Sequence, residues 1–176
     1  GLMLGRMVEN KRAVAQTIPE KRIVRLNALV GLKDKSVLEI GCFEGIHTTA
    51  LAQFGADVWG CDARIVNIAK SAVRCAFFQV QARFFVWDAE EPLPADQQRN
   101  WDVLHHVGVP YHLLNPVGHL QHIAPRIRSA IMLDTHVAEE GMALQDGETG
   151  GFGYRYQERR EGGYECVFSG TKPVAR

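Results

Sequence analysis

The sequence predicts a doubly wound α/β domain, and three observations carry that prediction. Short apolar runs alternate with segments of helical periodicity between residues 36 and 134. The first run ends in a glycine-bearing turn, Gly41 to Gly45, and aspartates stand directly after the second and third runs, at Asp62 and Asp88. Strands that alternate with helices pair in parallel, joined by right-handed crossovers that cover both faces of the sheet.

Taken in order, Thr17-Ile18-Pro19-Glu20 has capping-box spacing, with Thr17 as cap and a proline that opens a helix. Ile23, Leu26 and Val30 fall on one face of that helix and Gly31 stops it. Residues 36–41 read as a buried strand. Residues 44–54 form a helix with Ile46, Ala50 and Phe54 as its stripe, closed by Gly55, and residues 57–61 form the second strand. Ile65, Ile68, Ala69, Ala72 and Ala76 make the cleanest apolar stripe, the expected buried face of the next helix. Residues 83–87 and 101–106 are the third and fourth strands. Asn115-Pro116 opens a helix with Val117, Leu120 and Ala124, ended by Pro125, and residues 129–134 are the fifth strand.

Seven of the 17 glycines fall within residues 141–163, which read as a loop, and Tyr164 to Phe168 is a candidate last strand. The chain divides into an N-terminal helical segment (1–35), a core (36–140) and a glycine-rich loop with a final strand (141–176).

The 176 residues suit one globular domain, and no apolar run approaches the ~18–20 residues that span a bilayer. Cys42, Cys61, Cys75 and Cys166 form no C-x-x-C pair, so neither a zinc site nor a disulfide framework is expected from them, and a reducing cytoplasm is the simplest home. The 20 basic and 20 acidic residues are unevenly spread: +5 over residues 1–35 (8 against 3), −4 over 36–125 (5 against 9), −1 over 126–176 (7 against 8). That excludes a chain-wide basic footprint for nucleic acid and leaves only the N-terminal segment.

Ligands of open α/β sheets bind outside the carboxyl ends of the strands, where the strand order reverses. Glu39-Ile40-Gly41-Cys42-Phe43-Glu44-Gly45 follows the first strand there, and its glycines allow a tight turn beneath the free N–H groups of the next helix. Asp62 has two readings: acceptor for both hydroxyls of a ribose, or N-cap of the following helix. Asp88 likewise reads as a partner for an adenine amino group or as a turn cap. His105 and His106 alternate faces, so at most one of them faces the site.

These residues resemble class I S-adenosylmethionine-dependent methyltransferases. Residues 37–45 resemble the family's acid-x-Gly-x-Gly-x-Gly motif with Phe43 in place of the middle glycine, Gly60-Cys61-Asp62 its second motif and Trp87-Asp88-Ala89 its third. Residues 101–113 resemble a subgroup pattern, Phe-Asp-x-Val followed by Gly-Val-Leu-Tyr-His-Leu, with Pro110 replacing a leucine. The resemblance spans residues 20–138 and implies a Rossmann-like sheet that binds S-adenosyl-L-methionine and releases S-adenosyl-L-homocysteine.

It further implies that Glu39, Gly41, Cys42, Phe43, Glu44, Gly45, Asp62, Ala63, Asp88, Ala89 and His105 contact the cofactor, with the turn on its methionine part, Asp62 on the ribose and Asp88 on the adenine. His106, Tyr111 and His112 are the catalytic candidates on the acceptor side. The expected acceptor is an oxygen or nitrogen of a small molecule. A non-catalytic cofactor-binding subunit and a tRNA-modifying enzyme are the alternatives, the latter motivated by Tyr111, His112 and the basic N-terminal segment. Five of the seven histidines lie in residues 105–122, but His119 and His122 lack an H-E-x-x-H context and read as exposed helix histidines, so no metal is expected. Against the resembled fold the C-terminal part of the sheet is short, which favours a homo-oligomer or a partner chain that completes it.

Overall fold

The computed structural model describes residues 17–135 in full and the backbone of two later strands, 153–159 and 163–169. Element order is α1 (Lys21–Val30), β1 (Ser36–Ile40), α2 (Ile46–Gln53), β2 (Asp57–Asp62), α3 (Ile65–Phe77), β3 (Arg83–Val86), β4 (Trp101–Val107), α4 (Pro116–Ile123), β5 (Ile127–Asp134), β6 (Gly153–Arg159) and β7 (Gly163–Ser169). Strands β1 to β5 form one parallel sheet in the order β3-β2-β1-β4-β5, so the order reverses between β1 and β4. This is the Rossmann-like, doubly wound arrangement that the alternation of patterns predicts.

Both faces of β1 are covered, and its residues alternate between two apolar layers. Val37 joins Ile23, Leu26, Ala50, Leu51, Val58 and Val103 under α1 and α2. Leu38 and Ile40 join Cys61, Trp87, Trp101, Leu104 and Ile123 on the other face, beneath α4. At the amino ends of the strands Asp102 Oδ2 accepts bonds from the Ser36 amide (2.8 Å) and hydroxyl (2.7 Å), and the Asp102 amide donates to Ser36 Oγ (3.0 Å). These bonds, those of Ser36 first among them, hold the Asp102 carboxyl below the usual carboxylate range. They pin β1 against β4 at the edge remote from the candidate site.

Helix α1 starts at Lys21, and the capping box is not made. Glu20 is the N-cap residue without a side-chain cap, and its carboxylate turns to Arg22 Nε (2.8 Å) rather than back to Thr17. The Asn115 cap is made: its Oδ1 accepts from the Gly118 amide at 2.9 Å.

Two helices bury faces other than the expected stripes. In α2 the buried residues are Thr48, Thr49, Ala50 and Leu51, while Ile46 and Phe54 are half-buried. In α3 they are Asn67, Ser71 and Cys75, while Ile65, Val66, Val73 and Phe77 are 54–80% exposed. The inward polar groups have partners: the Thr49 hydroxyl donates to Gly45 O (2.7 Å), Ser71 Oγ to Phe43 O (3.0 Å) and Asn67 Nδ2 to Asp62 (2.9 Å). A buried hydroxyl or amide that finds such a bond loses little on leaving water.

Residues 153–159, expected within a loop, form β6, which pairs antiparallel with β7 in a separate two-stranded sheet. Strand β7 contains the predicted Tyr164–Phe168 run. The remaining parts of the 1–35 and 141–176 segments, and residues 136–140, lie outside the described residues.

Ile23 is fully buried on α1 and Leu29 is 73% exposed on the same helix. Ile23→Ala is expected to lower the unfolding free energy by about 2–5 kcal/mol and Leu29→Ala by no more than about 0.5, measured by urea titration. Equal effects would contradict the packing described.

Candidate functional site

The carboxyl ends of β1, β2, β3 and β4 converge on one edge of the sheet, beside the reversal of strand order, where such folds place ligands. The β1–α2 turn is the centre of that edge. Gly41 and Cys42 both donate their amides to Cys61 O at 2.9 Å, and Gly45 N closes on Cys42 O at 2.8 Å. Gly41 (φ 77°) and Gly45 (φ 75°) occupy the left-handed region. A Cβ on Gly45 would lie 2.7 Å from Ser71 Cα, backbone that cannot move aside, so α3 can approach the turn only because that residue is glycine.

Phe43 also has a positive φ, 48°, a conformation that costs a non-glycine residue roughly 1–2 kcal/mol. The turn is held in it from both sides: the Phe43 amide donates to Asp62 Oδ2 (3.2 Å) and its carbonyl accepts from Ser71 Oγ. The ring itself is 56% exposed. Helix α2 opens at once, with Gly45 as N-cap and so no cap bond from that residue's side chain, while the Thr48 amide of its first turn donates to the Glu39 carboxylate below.

Asp62 ends β2 and is half-buried. Besides Phe43, it accepts at Oδ1 from Arg64 N (2.9 Å) and Asn67 Nδ2 (2.9 Å). The N-cap of α3 is Arg64, so Asp62 is not the cap but a carboxylate held in place by three donors. Ala63 is exposed beside it. Asp88 is exposed after β3, with Oδ1 on the Glu90 amide (3.0 Å), which makes the turn-cap bond of its second reading. Ala89 O lies 3.0 Å from His119 Nδ1. His119 is therefore half-buried against the sheet edge rather than exposed, and a cleft of about 310 Å³ is lined by Ala89, Glu90, Pro92, Asn115, His119 and His122.

Other expected contacts lie beneath the edge. The Cys42 thiol is buried and burial pushes it up to about 12. Glu44 pairs with Lys70 (3.1 Å) and Arg74 (3.7 Å) of α3. Glu39 is fully enclosed, accepts from the Thr48 hydroxyl at 2.5 Å, and is raised to about 8 by loss of hydration. His105 lies opposite it in the β1–β4 register on the same face, and burial lowers its pKa far below the ordinary value.

His106 points to the other face, with its ring 5.0 Å from that of His119, and burial lowers it to about 3. Tyr111 and His112 lie on a short 3-10 turn, Pro110–His112, with ring centroids 4.3 Å apart. Tyr111 is half-buried and His112 exposed. His47, Thr48, Asn67 and Ser71 were not singled out by sequence reasoning. Each lies within α2 or α3 at a spacing that only the folded turn makes meaningful.

Among the described residues Cys42, Cys61 and Cys75 are free thiols, and no helix is long and apolar enough to cross a membrane.

A family model described as a methyltransferase domain matches residues 11–171. No curated protein sequence matches the chain. Among solved structures, the N-terminal domain of EvdMO1, crystallised in the presence of SAH and D-fucose, is 23% identical with a TM-score of 0.60, covering 80% of this chain and 60% of that one. Magnesium protoporphyrin IX methyltransferase from Synechocystis with bound SAH is 22% identical with a TM-score of 0.54, covering 60% and 48%. An S-adenosylmethionine-dependent methyltransferase from Clostridium acetobutylicum is 11% identical with a TM-score of 0.57, covering 72% and 53%. The likeness is one of fold, and the chain spans about half to three-fifths of the length of these structures.

His106 tests the buried environment. Its folded value near 3 lies below the ordinary histidine value of 6.5, so its contribution to stability is complete above pH 6.5 and is lost as pH falls toward 3. Urea midpoints at pH 7.5 and 5 are expected to fall less for His106→Gln than for the parent chain. Parallel falls would show that His106 is solvated.

Proposed function

We propose that this chain, which belongs to the methyltransferase-domain family matched across residues 11–171, is an S-adenosylmethionine-dependent methyltransferase that acts on an oxygen or nitrogen of a small molecule. One observation carries the reading. The Gly41–Gly45 turn, the uncapped start of α2 and the preorganised Asp62 carboxylate lie together at the reversal of strand order.

The groups fit the cofactor chemically. The Ile46 and His47 amides that open α2 suit the carboxylate of the methionine part, and Asp62, already oriented by three donors, suits a ribose diol. Ala89 lines the cleft on the side where an adenine would lie, and Asp88 precedes it in the chain. Asp62, Asp88, Glu90 and Glu91 make this edge acidic, as a sulfonium cation favours. Cys42, Glu44 and Glu39 support the turn from below: Glu44 ties it to α3, and Glu39 orients Thr48 of α2.

When bound, S-adenosylmethionine supplies an already electrophilic methyl group, so the chain's own task is to align the acceptor and accept its proton. Tyr111 and His112 stand on the rim after β4 and serve that side. His106, kept neutral by burial, stands against His119 of α4 in the layer below the edge. The structural neighbours support a small-molecule acceptor: one is a magnesium protoporphyrin IX methyltransferase, another a domain crystallised in the presence of D-fucose.

Isothermal titration with S-adenosylmethionine and S-adenosylhomocysteine tests the reading. Micromolar binding of both is expected, and Asp62→Ala, which removes bonds to two hydroxyls, should weaken it about 10- to 100-fold. No binding of either below millimolar would overturn it.

A further inference from the structure

We propose that Glu39, His47 and His105 form a site for one divalent transition-metal ion of the zinc class, set beneath the Gly41–Gly45 turn. The three residues are distant in sequence and come from β1, α2 and β4. The β1–β4 register sets Glu39 directly opposite His105, and the first turn of α2 lays His47 over both. One donor atom from each lies within 4.8 Å of the others. His105 Nδ1 is 3.9 Å from Glu39 Oε1, and the His47 and His105 rings meet edge to face at 5.0 Å. Donors around a zinc ion bound at about 2.0–2.2 Å stand roughly 3–4 Å apart. Closing on an ion therefore takes side-chain rotation of about an ångström and leaves the strands in place.

An independent observation points to a ligand. His105 is 1% exposed, yet no other described residue supplies a hydrogen-bond partner to either of its ring nitrogens. A buried polar atom left unpaired costs about 1–3 kcal/mol. His106 in the opposite layer is left in the same way, but among the described residues only His105 has a carboxylate and a second imidazole within ligating reach. A cation accepts the lone pair that nothing else in this layer takes.

The surrounding shell has the form that orients metal ligands. The Thr48 hydroxyl holds Glu39 Oε2, which leaves Oε1 for the ion. Glu20 Oε2 lies 3.4 Å from His47 Nε2, which leaves Nδ1 of that ring, and Arg22 fixes Glu20 at 2.8 Å. Paired carboxylate and imidazole contacts of this kind set ring orientation at metal centres. His47 is about one-fifth exposed, so the surface beside Glu20 is the access path.

Two imidazoles and one carboxylate favour zinc, cobalt or nickel over magnesium and calcium, whose preferred ligands are oxygens alone. A bound ion ties the start of α2 to β1 and β4 and clamps the turn between them. The site goes beyond methyl transfer and does not depend on it.

The test uses the full, tag-free chain, stripped with a chelator and titrated with zinc chloride, cobalt chloride and magnesium chloride. The expected result is one zinc per chain at micromolar affinity or tighter, visible d–d bands with cobalt, a raised melting temperature with zinc and no response to magnesium. His47→Ala, at a position about one-fifth exposed and outside the two apolar clusters, should weaken zinc at least tenfold and abolish the cobalt bands. Glu39→Gln should do the same, and if it fails to fold, His47→Ala decides alone. Absence of zinc binding, or zinc binding that His47→Ala leaves unchanged, overturns the proposal. A parallel titration with S-adenosylhomocysteine separates the two readings, since loss of that binding alone counts against methyl transfer and not against the metal site.

Discussion

The carbonyl of Cys61 accepts two amide bonds at once, from Gly41 and Cys42, and the geometry of the whole carboxyl edge depends on that. To reach it, β1 must turn back over β2 within five residues and pass three of them, Gly41, Phe43 and Gly45, through left-handed conformations. Two are glycines and bear no steric cost, and the third is Phe43, stabilised by bonds from Asp62 and Ser71. The consequences spread outward from there. Asp62 is oriented by the amide it receives, α2 begins at a fixed height, and α3 must present Ser71 and Asn67 inward to serve the turn. The 54–80% exposure of Ile65, Val66, Val73 and Phe77 is the other side of that arrangement.

The strands were legible because buried parallel strands read as short apolar runs, and each aspartate after a run fell on the predicted edge. The buried faces of α2 and α3 were not. Periodicity identifies an apolar stripe and assumes that it faces the core, but the inward positions here carry hydroxyls and an amide whose partners are backbone groups of a turn formed by other residues. The strand at 153–159 was hidden for a different reason: Gly153, Arg155, Glu158 and Arg159 read as a polar, glycine-bearing loop, while its pairing with β7 is backbone chemistry that composition does not report.

The site was legible in part. Position relative to a strand brings Asp62 and the glycine turn to one edge, which is a topological argument and robust to substitutions such as Phe43. Depth was not accessible to it. Glu39, Cys42 and Glu44 belong to the motif but are buried, Glu39 on Thr48 of α2 and Glu44 on Lys70 of α3. His105 and His106 are adjacent in sequence, yet they face opposite layers, one against Glu39 and His47 and the other against His119. A histidine-rich stretch thus becomes two separate buried environments once the strand alternates.

The central claim is that this edge is the ligand-binding edge. An amide-resolved NMR titration of the labelled chain with S-adenosylhomocysteine tests it most directly. The largest shifts are expected at Gly41, Phe43, Gly45, Ile46, Ala63 and Ala89. Shifts confined to other regions, such as the cleft around Gly55 and Arg83 at the amino ends of β2 and β3, would contradict it.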